Sequence, residues 1–437
     1  MNKYISTVIA LFASVGLAYG QANISPAKPQ SQRIIVMGAT IHTGEGTVIP
    51  NGYLTLEKGK ITGIGDATVV KLNPDGARMI NASGKHIYPG FISSITNLGL
   101  VEIESVKATI DERELGDNNA HIRALIAYNS DSKVPATLRS NGILMAQITP
   151  AGGLIAGSSS VVQLDAWNWE DAAIKKDAAM HINWPALPRG RGGFGGGARF
   201  GGVAMGDPNE RVNNAIAELN TFFVQAKMYS ENTPAVTNSR LSAMKGLFNG
   251  SQKLFITANA QKDIVAAVNF AKKHGITPVI VGGDDAHLLT GFLKSNDVPV
   301  IVKQPHALPN SVDDDVNMPY KNAAVLNKAG VTVVVSIEGF WQQRNLPFMA
   351  GTASTWGMSK EDALKTITLN PAKAMGVDKT TGSLAIGKDA TFFISAGDAL
   401  DMISNKVEEA FIQGRSINLD NLHKQLDKKF SDKYGIK

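Results

Sequence analysis

Eight histidines are the first residues to ask about, because imidazole serves both proton transfer and metal binding. They are His42, His86, His121, His181, His274, His287, His306 and His423. No two stand two, three or four residues apart, so no local pair of zinc-binding imidazoles can form on one strand or one helical turn. The chain has no cysteine, which removes thiolate nucleophiles, thiolate metal sites and disulfides together. No G-x-S-x-G elbow is present to present a nucleophilic serine.

Three short clusters still combine acids, bases and amides. Asp284, Asp285 and His287 follow TPVIVGG, Lys303, Gln304 and His306 follow VPVIV, and Ser336 and Glu338 close VTVVVSIE. Each lies just past an apolar run of strand length. On one rim they would form a ligand pocket with acid–base capacity, or a weak metal site from Asp284, His287 and Glu338. The plainer alternative is a solvated rim, with Asp284 or Asp285 capping the next helix.

Those clusters need a scaffold. Buried strands are expected at IYPGFISSI, GILMAQIT, KLFITA, TPVIVGG, VPVIV and VTVVVSIE. Amphipathic helices are expected at Lys262 to His274, Ala286 to Ser295, Asn322 to Ala329 and Lys360 to Thr368. Apolar strands alternating with helices predict an α/β fold with a parallel sheet covered on both faces. About eight such units close a TIM-type (β/α)8 barrel. The third and fourth strands fall between residues 150 and 253, and 210–229 and 238–249 read as helices. Residues 33–88 and 380–420 instead show β alternation broken by Gly-centred turns, which predicts one small composite β-sandwich domain from both ends of the chain. The barrel then occupies 89–379, and 421–437 is a helical tail.

The remaining features bound partners and location. Residues 1–20 carry Lys3, an apolar run from Ile5 to Leu17, and the small residues Ala18 and Gly20. This is a cleavable secretory signal pattern, shorter than the roughly 20 residues of a membrane span. A periplasmic or secreted protein is expected, with no membrane contact after cleavage. The formal charge of +5, on a chain with 19% charged residues, implies no nucleic-acid partner. The stretch RGRGGFGGGARFGG at 189–202 is expected to be an open loop over the barrel mouth rather than an RNA-binding segment.

The junction HIYPGFISSITNLGL resembles the barrel entry of the amidohydrolase superfamily, in its imidazolonepropionase-like branch. DIVAAVNFAKKHGITPVIVGGDDA and ALKTITLNPAKAMGVDKTTGSLAIGKDATFFI resemble later parts of the same family. The resemblance runs from about 33 to 420 and implies hydrolysis of non-peptide C–N bonds with zinc or another divalent metal. It also implies where the ligands should be. The family's PGFID-x-H-x-H puts the first histidine on Ile95, the second on Asn97 and the preceding acid on Ser93. The strand-five histidine falls on Thr257 and the strand-six histidine near Gly282 or Gly283. Only the strand-eight acid, at Glu338, remains a carboxylate. The resemblance therefore implies a family member without the metal cage and with no cofactor. Its catalytic candidates are Glu338, His287 and Asp284, and its ligand-pocket candidates are Asn97, Thr257, Lys303 and His306. A small-molecule ligand is the expected partner, with a homo-oligomer or a complex with an intact amidohydrolase as assembly. The alternative is a working hydrolase of cyclic amides or related molecules, using a rearranged site around Asp284, His287, His306 and Glu338.

Overall fold

The computed structural model describes residues 25–187, 207–232, 234–309 and 314–436. The signal-like segment and the Gly-Arg stretch lie outside them. Five strands come first: Arg33–His42 (β1), Val48–Glu57 (β2), Lys60–Asp66 (β3), Ala77–Asn81 (β4) and His86–Pro89 (β5). The barrel strands follow: Phe91–Thr96 (β6), Ile143–Ile148 (β7), Ile155–Gln163 (β8), Ala173–Asn183 (β9), Lys253–Ala258 (β10), Pro278–Gly282 (β11), Val300–Val302 (β12) and Val333–Val335 (β13). Phe392–Ser395 (β14), Val407–Ile412 (β15) and Arg415–Ser416 (β16) return to the first group. One sheet runs β16-β15-β14-β5-β1-β2-β3 with β4 beside β1, so the two ends of the chain do share a β domain. The second sheet runs from β6 to β13 in sequence order.

One barrel strand departs from the expected all-parallel pattern. β8 is antiparallel to both β7 and β9. Only Thr149 to Leu154 connect β7 to β8. A parallel crossover needs a dozen or more residues, so a segment this short can only make a hairpin. Gly153 turns it with φ +64, and a Cβ there would sit 2.9 Å from the Gly116 carbonyl oxygen. Two of the expected helices are also interrupted. Expected helix 286–295 splits into a 3-10 turn and Thr290–Ser295, and 238–249 splits into Ser239–Ala243 and Lys245–Phe248.

The helices that matter below are Val134–Arg139 (α1), Gln261–Lys273 (α2), Met318–Lys328 (α3), Lys360–Lys365 (α4) and Leu422–Tyr434 (α5). β13 and β6 are joined through the turn after α4. The Val335 N–H donates to the Thr366 carbonyl and the Ile92 N–H to the Ile367 carbonyl. The Ser336 hydroxyl also donates across to the Ser94 carbonyl.

Period-2 alternation fills the lumen in two layers. Ile92, Met145, Val161, Ala179, Phe255, Val281, Ile301 and Val334 form an apolar plug, with Ala372, Met375 and Val377 packed in. Two residues nearer the mouth, which on the antiparallel β8 means two residues earlier, come Ser94, Gln147, Ser159, His181, Thr257, Gly283, Lys303 and Ser336. The mouth of the barrel is thus polar and its floor is apolar. A chain of imidazoles sits at the domain seam. The His42 Nδ1–H donates to Glu361 of α4 at 2.6 Å, and His42 Nε2 meets His86 Nδ1 at 3.1 Å.

Candidate functional site

The ends of β11, β12 and β13 enclose a cavity of about 250 Å3 on the polar rim. Asp284, Asp285, His287, Lys303, Gln304, Asn322 and Glu338 line it. The three sequence clusters converge because each begins where a buried apolar strand runs out, on neighbouring parallel strands.

The individual groups have different duties. The Asp285 carboxylate accepts the Gln261 N–H at 2.9 Å and so caps α2, the helix after the preceding strand. The His287 Nδ1–H donates to the Asp284 carbonyl at 3.1 Å, which orients the ring by a local turn. The Glu338 N–H donates to Gln304 Oε1 at 3.1 Å. The Glu338 carboxylate lies 3.8 Å from Lys303 Nζ and is 65% exposed, so this ion pair is worth little. Gly282 has φ +98, and a Cβ there would reach within 1.9 Å of Asn259 Oδ1, a group on the cavity wall.

Three candidates stand apart from this cavity. His306 Nε2 meets the Thr352 hydroxyl at 2.6 Å, and its ring lies 5.3 Å from that of Tyr320. Burial holds His306 below the usual histidine range. The Asn97 amide donates to Glu112 Oε2 at 2.9 Å. Thr257 is half-buried, and its carbonyl accepts the Trp184 N–H at 3.0 Å. None of the three lines the cavity.

The structure adds residues that sequence reasoning missed. Asn322 on α3 is 3% exposed, and its Nδ2 donates to the Gly283 carbonyl at 3.1 Å. Its Oδ1 is buried and has no hydrogen-bond partner among the described residues. His181 on β9 faces the lumen, with Nε2 2.7 Å from the Ser159 hydroxyl, which also accepts from the Gln147 amide at 2.9 Å. Burial pushes His181 down to about 3, and the Lys303 charge pushes in the same direction. Its ring is neutral at physiological pH. The sequence signal for it was alternation along β9, visible only once that strand was placed.

The level at which the family would hold its metal does not fit an ion. Where β6 pairs with β7, Ser94 and Ile95 form a bulge. Ile95 adopts φ +53, a costly conformation for a β-branched residue, and its side chain packs against the apolar plug. Its N–H points to Gln147 Oε1 at 3.4 Å. Asn97 is engaged with Glu112, Thr257 offers one hydroxyl, and Gly282 and Gly283 offer no side chain. Among the described residues, no group of three or more His, Asp or Glu is placed to hold a metal ion.

Comparison with known proteins agrees with the architecture. Residues 221–417 match the model of the amidohydrolase family. An imidazolonepropionase from Flavobacterium psychrophilum is 26% identical over 178 residues, covering 34% of this chain and 43% of that protein. The chain thus spans less than half the length of the curated relative it matches. An amidohydrolase from Thermotoga maritima superposes with a TM-score of 0.74 at 21% identity, covering 88% of this chain and 99% of the other. A molinate hydrolase superposes at 0.53 with 16% identity, covering 89% and 95%. Residues 221–417 thus match the amidohydrolase family, and the chain as a whole has the fold of amidohydrolase structures.

Proposed function

We propose that this chain is an exported small-molecule binder built on an amidohydrolase scaffold, with little or no hydrolysis of its own. The observation that carries this reading is the contrast between two sides of one barrel mouth. The β11–β13 side has a formed cavity with several polar groups, while the β6–β9 side is filled by Ile95, Gln147, Ser159 and His181. Hydrolysis of an amide at neutral pH needs an activated water, and the family's route to one is a caged divalent ion. The donors here do not make that cage.

The cavity favours a ligand nitrogen that bears protons. Among the described residues, Asp284, Asp285, Asp314 and Glu338 line it against Lys303 as the one lysine or arginine. Asn322 Oδ1 adds a buried acceptor whose amide is fixed by the bond to Gly283. A buried acceptor without a donor is costly, by about 1–3 kcal/mol, and an N–H group from a ligand would relieve that cost. The experiment is calorimetry on the mature protein with a matched set: 1,5-diaminopentane, its N-acetyl derivative and glutarate. Binding by the amines, weakened at least tenfold in Asn322→Leu and in Glu338→Gln, supports the reading. Binding by glutarate alone overturns the charge preference. Turnover of N-acyl or cyclic amide compounds that is lost in Glu338→Gln would favour a working hydrolase instead. Export is tested separately by N-terminal sequencing, which should begin at Gln21.

A further inference from the structure

A second cavity, of about 690 Å3, lies away from the rim. Arg139, at the end of α1, and Asp165, just past β8, both line it. α1 leads into β7, and β8 runs antiparallel to β7, so both residues sit at the floor end of the barrel. Pro26, Pro135, Trp167 and Leu422 of α5 supply apolar wall, and Trp167 is 65% exposed. A cavity of this size is large enough to enclose a small molecule. Its charges are out of balance. The Asp165 carboxylate accepts Arg139 Nη1 at 2.7 Å, Arg415 Nη1 at 3.0 Å and the Ala27 N–H at 2.9 Å. Two guanidiniums thus share one buried carboxylate, and among the described residues neither is paired with another acid. Asp131 and Lys133, both exposed, add one charge of each sign to the lining. Arg139 itself is 5% exposed, and its Nη1 also donates to the Leu164 carbonyl at 2.9 Å. Its Nε is buried without a hydrogen-bond partner, and its Nη2 donates to no group among the described residues. Nε and Nη2 share one edge of the guanidinium, the kind of two-donor edge that matches a carboxylate. Leaving such donors unmet in a buried place is costly.

We propose that this cavity binds a small carboxylate with an aromatic or apolar body, its carboxylate on the Nε–Nη2 edge of Arg139 and its body against Trp167. The ligand's negative charge offsets the second guanidinium of the Arg139–Asp165–Arg415 node. An amine is disfavoured there, because Asp165 already accepts three donors and two of them are cationic. An exposed indole in a cavity supplies a flat apolar face at little conformational cost, which is what an aromatic body packs on. The site is separate from the rim cavity, whose lining favours the opposite charge.

Calorimetry on the purified chain with 4-phenylbutanoate, 4-phenylbutan-1-ol, 4-phenylbutan-1-amine and acetate tests this. The phenyl carboxylate should bind at least tenfold more tightly than the alcohol and than acetate, and any binding of the amine should be lost in Asn322→Leu. Trp167→Ala, at an exposed position, should weaken the phenyl carboxylate at least tenfold while leaving the urea midpoint unchanged. Arg139→Lys keeps a cation beside Asp165 but removes the two-donor edge, and should weaken it as much. Should that variant fail to fold, the Trp167→Ala result still decides. No binding by the phenyl carboxylate, equal binding by the alcohol, or indifference to Trp167→Ala would overturn the proposal. Carboxylate binding that is lost in Asn322→Leu would move the ligand to the rim cavity and overturn the second site, so the two readings fail separately. Binding that appears only after removal of residues 1–24 would give the cavity to the chain's own N-terminal segment instead.

Discussion

His181 is held neutral by its surroundings, and this has a measurable consequence. Its folded value of about 3 lies below the ordinary 6.5, so the unfolded chain binds a proton that the folded chain refuses. The stabilisation is therefore complete above about pH 6.5 and is lost progressively as pH falls toward 3. Stability of the wild type should drop by several kcal/mol more than that of His181→Gln between pH 7 and 4, read as urea midpoints. Equal slopes would show that the ring is solvated. At this scale the sequence was legible where strands end. Asp284, His287, Lys303 and Glu338 each follow an apolar run, and they line one cavity. Asn97 and His306 carry equally polar side chains but are drawn off by Glu112 and Thr352. Those partners are distant in sequence, by 15 and 46 positions, and no local pattern announces them. Asn322 lies in an expected helix. Its role depends on the Gly283 carbonyl that the end of β11 leaves beside it.

Elements meet at Asp165, at the far end of β8. Its carboxylate accepts Arg139 of α1 at 2.7 Å, Arg415 of β16 at 3.0 Å and the Ala27 N–H at 2.9 Å. One 2%-exposed acid thus joins the barrel, the β domain and the N-terminal segment. Removing it leaves the buried Arg139 with the Leu164 carbonyl but no counter-charge, although burial already lowers that guanidinium's affinity for its proton. Asp165→Ala should cost about 3–5 kcal/mol in urea unfolding. A loss under 1 kcal/mol would mean that solvent reaches the node. Element types were largely readable, since six barrel strands and the two-ended β domain follow from alternation and turns. The direction of β8 was not foreseen, although Thr-Pro-Ala-Gly-Gly between β7 and β8 is a turn signal of hairpin length. β9 was hidden because its first half, AIKKD, is polar and half-exposed.

Across the whole molecule, an amidohydrolase-like fold carries an apolar barrel floor, a composite β domain and a cavity on its rim. Function resides in such sites rather than in the fold. At the positions the resemblance assigns to the metal, Ile95 packs against the apolar plug, Asn97 is bonded to Glu112 and Thr257 offers a single hydroxyl. The most direct test is the metal content of the purified chain, measured by inductively coupled plasma mass spectrometry after incubation with zinc or manganese and buffer exchange. The account predicts far less than one ion per chain. One tightly retained ion per chain, abolished by Glu338→Gln, would contradict it.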